Sequence, residues 1–216
     1  MNILHEVTSQ FQGKGDVREI KPLGKGHIND SYRVVMGEQA YVLQRINHHI
    51  FKNVEQLQQN ISRVTGHIRK KLEGKGVPDV DSRVLTLVPT LEGALFHRDG
   101  NGDYWRMMLF IAESKSYDEI NPVLAQRAGE AFGAFQLMLA DLPGEPLFET
   151  IPDFHNMEVR LQSFRESVEA DRAGRLNEVA SLVDEIESRA DEMCKAERMH
   201  REEILPKRTN HCDTKV

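Results

Sequence analysis

The sequence predicts an α/β chain of the α+β kind, a five-stranded antiparallel sheet followed by a helical half. Three observations predict it. The first third is rich in β-forming residues and is cut by glycine-containing turns. One amphipathic helix interrupts the strands between the third and the fourth. Beyond residue 121 the strand signal ends, and apolar residues recur at three- and four-residue steps.

Residues 17–22, 30–36 and 41–47 read as short strands, separated by turns at Gly24-Lys25-Gly26 and Gly37-Glu38. A helix follows over 53–73. Val54, Leu57, Ile61, Val64, Ile68 and Leu72 form its apolar face, Asn53 is its N-cap, and Gly74 and Gly76 end it. Two further strands are expected over 83–90 and 104–112, joined through the polar turn Asp99-Gly100-Asn101-Gly102. A helix over 122–142 carries the small residues Ala125, Ala128, Gly129 and Gly133, which permit close packing. A Pro-containing loop spans 142–153, and helices fill 157–204 with a break at Asp171-Arg172-Ala173-Gly174. Two domains are expected, 1–112 and 113–216.

Composition excludes several classes. The chain has 216 residues, enough for a real core. Its 28 basic and 34 acidic residues leave a net charge of −6, which argues against a nucleic-acid partner. No apolar run reaches the roughly 20 residues of a membrane span, and the N-terminus lacks the pattern of a signal peptide. Cys194 and Cys212 have no CxxC partner, so a disulfide framework or zinc site is not expected, and a reducing cytoplasmic setting is. The nine histidines are scattered; His48 and His49 sit at a strand end, where neighbours point to opposite faces, so they read as surface residues.

Five segments carry chemistry. Leu23-Gly24-Lys25-Gly26-His27-Ile28-Asn29-Asp30-Ser31-Tyr32 lies between two strands, where backbone N–H groups of a glycine-rich turn can close over phosphates. It also fits an ordinary hairpin, and no GK[ST] opens a helix after it. Tyr41-Val42-Leu43-Gln44-Arg45-Ile46-Asn47 is the strand on which kinases keep a phosphate-binding Lys. Here Gln44 occupies the matching place and Arg45 carries the charge, and the choice between them stays open. Glu55, in the first turn of the next helix, is either a partner for Arg45 or an acid favoured by the helix N-terminus. Met107-Met108-Leu109-Phe110-Ile111-Ala112-Glu113-Ser114 runs from an apolar strand into a polar linker. Phe110, Ile111 and Glu113 there are candidates for an adenine-binding hinge. Finally, His211-Cys212-Asp213-Thr214-Lys215 has the His-x-Asp opening of a kinase-type catalytic loop. Asp213 would accept the substrate hydroxyl proton, Lys215 would neutralise charge on the transferring phosphate, and His211 would orient the loop.

Together with Ile151-Pro152-Asp153-Phe154-His155-Asn156 and Leu205-Pro206-Lys207-Arg208, these segments resemble the aminoglycoside-phosphotransferase-like kinase superfamily. Within it they are most similar to N-acetylhexosamine 1-kinases. The resemblance covers nearly all of the chain and implies a protein-kinase-like fold, an N-lobe over 1–112 and a partial helical C-lobe over 113–216. It implies ATP with Mg²⁺, and a small-molecule sugar phosphorylated at its anomeric hydroxyl. Nucleotide contacts would come from Gly24, Gly26, Ile28, Asn29, Ser31, Gln44, Arg45, Glu55, Phe110, Ile111 and Glu113. Substrate contacts would come from Asp153, Phe154, His155 and Asn156. No metal ligand is expected within the chain: the family's Asn, about five positions after the Asp, and its later Asp fall beyond Val216. The chain as written is therefore expected to lack kinase activity. The rival expectations are a kinase of the same superfamily acting on an aminoglycoside, choline or homoserine, and a non-catalytic nucleotide-binding fragment.

Overall fold

A computed structural model of the protein describes residues 3–24, 28–115, 117 and 119–211. The chain divides into two compact units, Met1–Thr150 with Thr209–Val216, and Ile151–Arg208. In the first unit, helix α1 (Ile3–Thr8) precedes strands β1 (Val17–Pro22), β2 (Asp30–Met36) and β3 (Gln39–Ile46). Helix α2 (Val54–Gly74) follows, then a 3-10 turn at Val80–Ser82. Strands β4 (Leu87–Val88), β5 (His97–Arg98) and β6 (Tyr104–Leu109) complete the sheet, and helix α3 (Pro122–Leu139) comes next. The sheet is antiparallel in the order β1-β2-β3-β6-β4, with β5 sharing the outer edge of β6.

Alternation along the strands divides the sheet into two faces. One face contributes Val34, Tyr41, Leu43, Trp105 and Met107 to the main core, which Val7 of α1 and Phe11 close. The Tyr41 hydroxyl accepts the Lys14 N–H at 3.0 Å, so the ring is buried without an orphaned polar atom. A second cluster joins Ile68 of α2, Val84 and Leu139 of α3. Asn53 caps α2 as expected, its side-chain oxygen accepting from Gln56 N at 3.0 Å.

The strand expected over 83–90 shrinks to Leu87–Val88. Val84 turns into the second cluster, Arg69 holds the side chains of Asp81 and Thr86, and Pro89 has no N–H to extend the ladder. The Asp99-to-Gly102 turn accordingly belongs to the short hairpin β5–β6. Asp99 organises that turn. Its buried carboxylate accepts from Trp105 Nε1 at 2.8 Å and from the Asn101 and Asp103 N–H groups at 2.9 and 3.0 Å. Desolvation opposes its ionisation, but these hydrogen bonds outweigh it and hold the pKa below the usual carboxylate range. Asp99→Ala strands the Trp105 indole N–H, and chemical denaturation should show a loss of about 1–3 kcal/mol.

On α3 the small-residue stripe does not pack closely. No described atom comes within 4 Å of a Cβ placed at Gly129 or Gly133.

The second unit comprises α4 (Met157–Ala170), α5 (Leu176–Met193) and α6 (Lys195–Arg201). The expected break is present: Asp171 adopts φ +33° and its carboxylate accepts the Arg175 and Leu176 N–H groups. Leu161, Ala190 and Cys194 form a small core, and Arg201 makes a bidentate ion pair with Glu158 at 2.7 and 2.9 Å. Among the described residues, no helix is long and apolar enough to cross a membrane.

Candidate functional site

A polar row crosses the sheet on the face opposite the main core. Register pairs Ser31 of β2 with Gln44 of β3, and Gln44 with Arg106 of β6. Gln44 Nε2 donates to Ser31 Oγ at 2.7 Å. Gln44 Oε1 accepts from Arg106 Nε at 3.0 Å and Nη2 at 2.6 Å. Arg106 Nη1 donates to Oε1 of Gln58 on α2 at 3.2 Å. Gln58 is fully buried, and its Nε2 donates to the Leu95 carbonyl at 3.0 Å. The sheet is thus tied to α2 by two amides and one guanidinium. Among the described residues no carboxylate pairs with Arg106. Burial pushes its pKa down to about 10, so it remains a cation at neutral pH, held by neutral partners.

Neither Arg106 nor Gln58 was expected from the sequence. The available signal is an Arg in the middle of the apolar strand Tyr104-Trp105-Arg106-Met107-Met108-Leu109. Such a residue is buried only with partners.

Arg45 is elsewhere. It lies on the Leu43 side of β3 and donates through Nε to Asp30 at 2.9 Å and through Nη1 to Asp103 at 3.2 Å. The Asp30 hydrogen bond is the main cause of its raised pKa. The Arg45–Glu55 pair is not formed, because alternation turns Arg45 away from the face that meets α2. Glu55 instead accepts from Gln59 Nε2 at 3.3 Å, one helical turn on. The His48 and His49 rings also depart from expectation. They follow β3 in a turn, and their centroids are 4.4 Å apart rather than on opposite faces.

Gly24 adopts φ +70°, a conformation that favours glycine. After the loop, Asn29 Oδ1 accepts the Asn47 N–H at 2.9 Å and Leu23 N donates to the Ser31 carbonyl at 2.8 Å, closing the β1–β2 turn. Ile28 is exposed and lines a shallow depression with Asp30, Arg45, Asn47 and His48. Gly26 lies outside the described residues.

Beyond β6, the Phe110 N–H donates to the Ala40 carbonyl at 3.1 Å, and the Arg33 guanidinium sits 5.3 Å from the centroid of the Phe110 ring. The N–H groups of Ile111, Ala112 and Glu113 have no partner among the described residues. Glu113 has φ +58°, which turns the chain there. The His211 ring meets Phe132 and Phe135 of α3 edge-on, at 5.4 and 5.7 Å between centroids. Asp213 and Lys215 lie outside the described residues.

In the second unit, residues 153–156 form the entrance to α4. Asn156 accepts the Glu158 and Val159 N–H groups at 3.1 and 3.3 Å, and its Nδ2 donates to Asp153 Oδ1 at 3.2 Å. Asp153 adopts φ +56°. Phe154 and His155 are exposed and packed ring to ring at 4.8 Å, with Arg160 over the Phe154 ring. Among the described residues, no group of three or more His, Cys, Asp or Glu side chains is placed to hold a metal ion.

Residues 19–216 match the sequence profile of the phosphotransferase enzyme family, APH. The match spans most of the chain, and the chain belongs to that family. Among solved structures, it is similar to a spectinomycin phosphotransferase crystallised in complex with ADP and spectinomycin. The TM-score is 0.53 and the identity 12%, with 95% of this chain and 59% of that one covered. The chain therefore spans less than two thirds of that enzyme's length. At this identity the likeness is one of fold: a mixed α/β architecture of antiparallel sheet and helices, similar to the kinase-like fold of the family.

Proposed function

We propose that this phosphotransferase-family chain serves phosphoryl transfer from ATP to a small-molecule hydroxyl, and that the acceptor is the anomeric hydroxyl of an N-acetylhexosamine. The observation that carries the nucleotide reading is the Ser31-Gln44-Arg106 row. It starts where the glycine turn re-enters the sheet and ends on a cation that no carboxylate neutralises among the described residues. Adenine would take donors from the N–H groups of Ile111 to Glu113, beside Phe110. Asp213 would accept the acceptor's proton, with Lys215 stabilising charge on the transferring phosphate and His211 orienting the loop. Mg²⁺, when bound, would offset charge on the phosphates. Among the described residues no cluster of acidic side chains is placed to hold it.

The sugar assignment rests on the segment from Ile151 to Asn156. Asp153, Phe154, His155 and Asn156 would supply the substrate contacts; Asn156 also caps α4 and donates to Asp153, while Phe154 and His155 are exposed. A reducing cytoplasm, where ATP is available, suits this role and the buried Cys194 thiol.

Assaying the full gene product with ATP against N-acetylglucosamine, N-acetylgalactosamine, choline, homoserine and aminoglycosides tests the reading. Turnover of the acetylated amino sugars is expected. Turnover confined to cationic amines would remove the sugar assignment, and turnover of none, with no nucleotide binding, would remove the kinase reading.

A further inference from the structure

We propose that Arg106 grips the ATP phosphates in this chain, so that a cation on β6 does the work for which β3 has no lysine. This rests on the nucleotide-binding reading above. Within β3 the only basic residue is Arg45, which lies on the other face of the sheet and is engaged by Asp30 and Asp103. The next strand in register supplies the cation instead, one row-step from Gln44.

The state of the guanidinium supports a ligand. It has five N–H donors, and three are used, on Gln44 and Gln58. The second hydrogens of Nη1 and Nη2 have no acceptor among the described residues. The residue is half-buried. Its partners are amide oxygens, which orient the planar fork without cancelling its charge. A carboxylate in the place of Gln44 or Gln58 would orient it equally well but would neutralise it. Removal from water also strengthens its attraction for an incoming phosphate, and a planar fork suits phosphate oxygens. Ser31 at the far end of the row lies just past the glycine turn, so loop and cation are joined by one hydrogen-bonded line. Gln58 acts as a positioning residue, through Arg106.

The competing account is that Arg106 is only a strut between the sheet and α2. Calorimetric binding of ATP, ADP and adenosine to the full gene product separates the two, with melting temperature recorded in parallel. Arg106→Gln should weaken ATP and ADP binding roughly 10- to 100-fold, the size expected for charged hydrogen bonds. It should leave adenosine binding within about twofold. Gln58→Glu, which supplies a competing carboxylate and keeps the volume, should weaken ATP and ADP in the same selective way. Arg106→Lys should recover part of the loss. Wild-type affinity for ADP in Arg106→Gln overturns the proposal. So does an equal loss of adenosine binding in both Arg106→Gln and Gln58→Glu, which is the strut's signature. If Arg106→Gln does not fold, Gln58→Glu and Arg106→Lys still decide. An unaltered protein that binds none of the three ligands overturns the underlying nucleotide reading, an outcome distinct from unaltered affinity in the variants.

Discussion

Asp213→Asn in the full gene product is expected to cut kcat by ~10²–10⁴-fold while ATP affinity and melting temperature stay unchanged. Asn keeps the size and shape of Asp and can still accept a hydrogen bond. It cannot take a proton from the acceptor hydroxyl, so in the proposed reaction the loss falls on the step in which that hydroxyl attacks the phosphate. On the proposed reading ATP is held by other groups, the glycine turn, the Ile111-to-Glu113 backbone and Arg106. The role assigned to Asp213 comes from the His-x-Asp motif; the ring of His211, two residues earlier, meets Phe132 and Phe135 of α3 edge-on. Steady-state kinetics at saturating substrate, with ATP binding measured separately, check it. A kcat within a few-fold of wild type would take Asp213 out of the base role. A matching loss of ATP affinity would move it from proton transfer to nucleotide positioning.

The parts of this fold that are legible in the sequence are those with a long, regular period or a strong local stop. The α2 face from Val54 to Leu72 spans several turns, and Asn53 marks its start; the structure matches both. The Asp171-to-Gly174 break is equally local, since a left-handed residue and a glycine end one helix and start another. Shorter elements escape. Helix α1 has six residues, less than two turns, and shows no period, although Val7 is a wholly buried part of the main core. Strands β4 and β5 have two residues each and are set by what β6 offers them, not by their own composition.

The candidate site is harder to read for a related reason. The choice between Gln44 and Arg45 is a question of which sheet face meets α2. Alternation separates the two residues, but no local pattern says which face that helix covers. The link from Arg106 to Gln44 spans 62 positions and depends on the β3–β6 register. In sequence it leaves only an Arg inside an apolar strand. The capping role of Asn156 is a different case: the residue type and the helix start are both visible in the sequence.

The largest effect on stability is expected from Leu43→Ala. Leu43 sits at the centre of the cross-strand row Tyr32-Leu43-Met107 and is 0% exposed. Truncation removes buried methyl groups and leaves a cavity that tightly packed neighbours cannot close, at a cost of about 2–5 kcal/mol. Against a typical total of roughly 5–15 kcal/mol this is a large share. For a chain of this length it corresponds to a fall in melting temperature of roughly 4–20 °C. Leu91→Ala is the control, because Leu91 is 66% exposed and its loss should stay within about 0.5 kcal/mol. Gln44 follows Leu43 directly on β3, on the opposite face. Loosening the core side should therefore lower the protein's stability well before it alters the Gln44–Arg106 bond. Nucleotide affinity of the folded Leu43→Ala variant, measured well below its melting point, should stay close to wild type. Chemical denaturation of the two variants decides the matter: a Leu43→Ala loss below about 1 kcal/mol would mean that the sheet's buried face is not packed around this row.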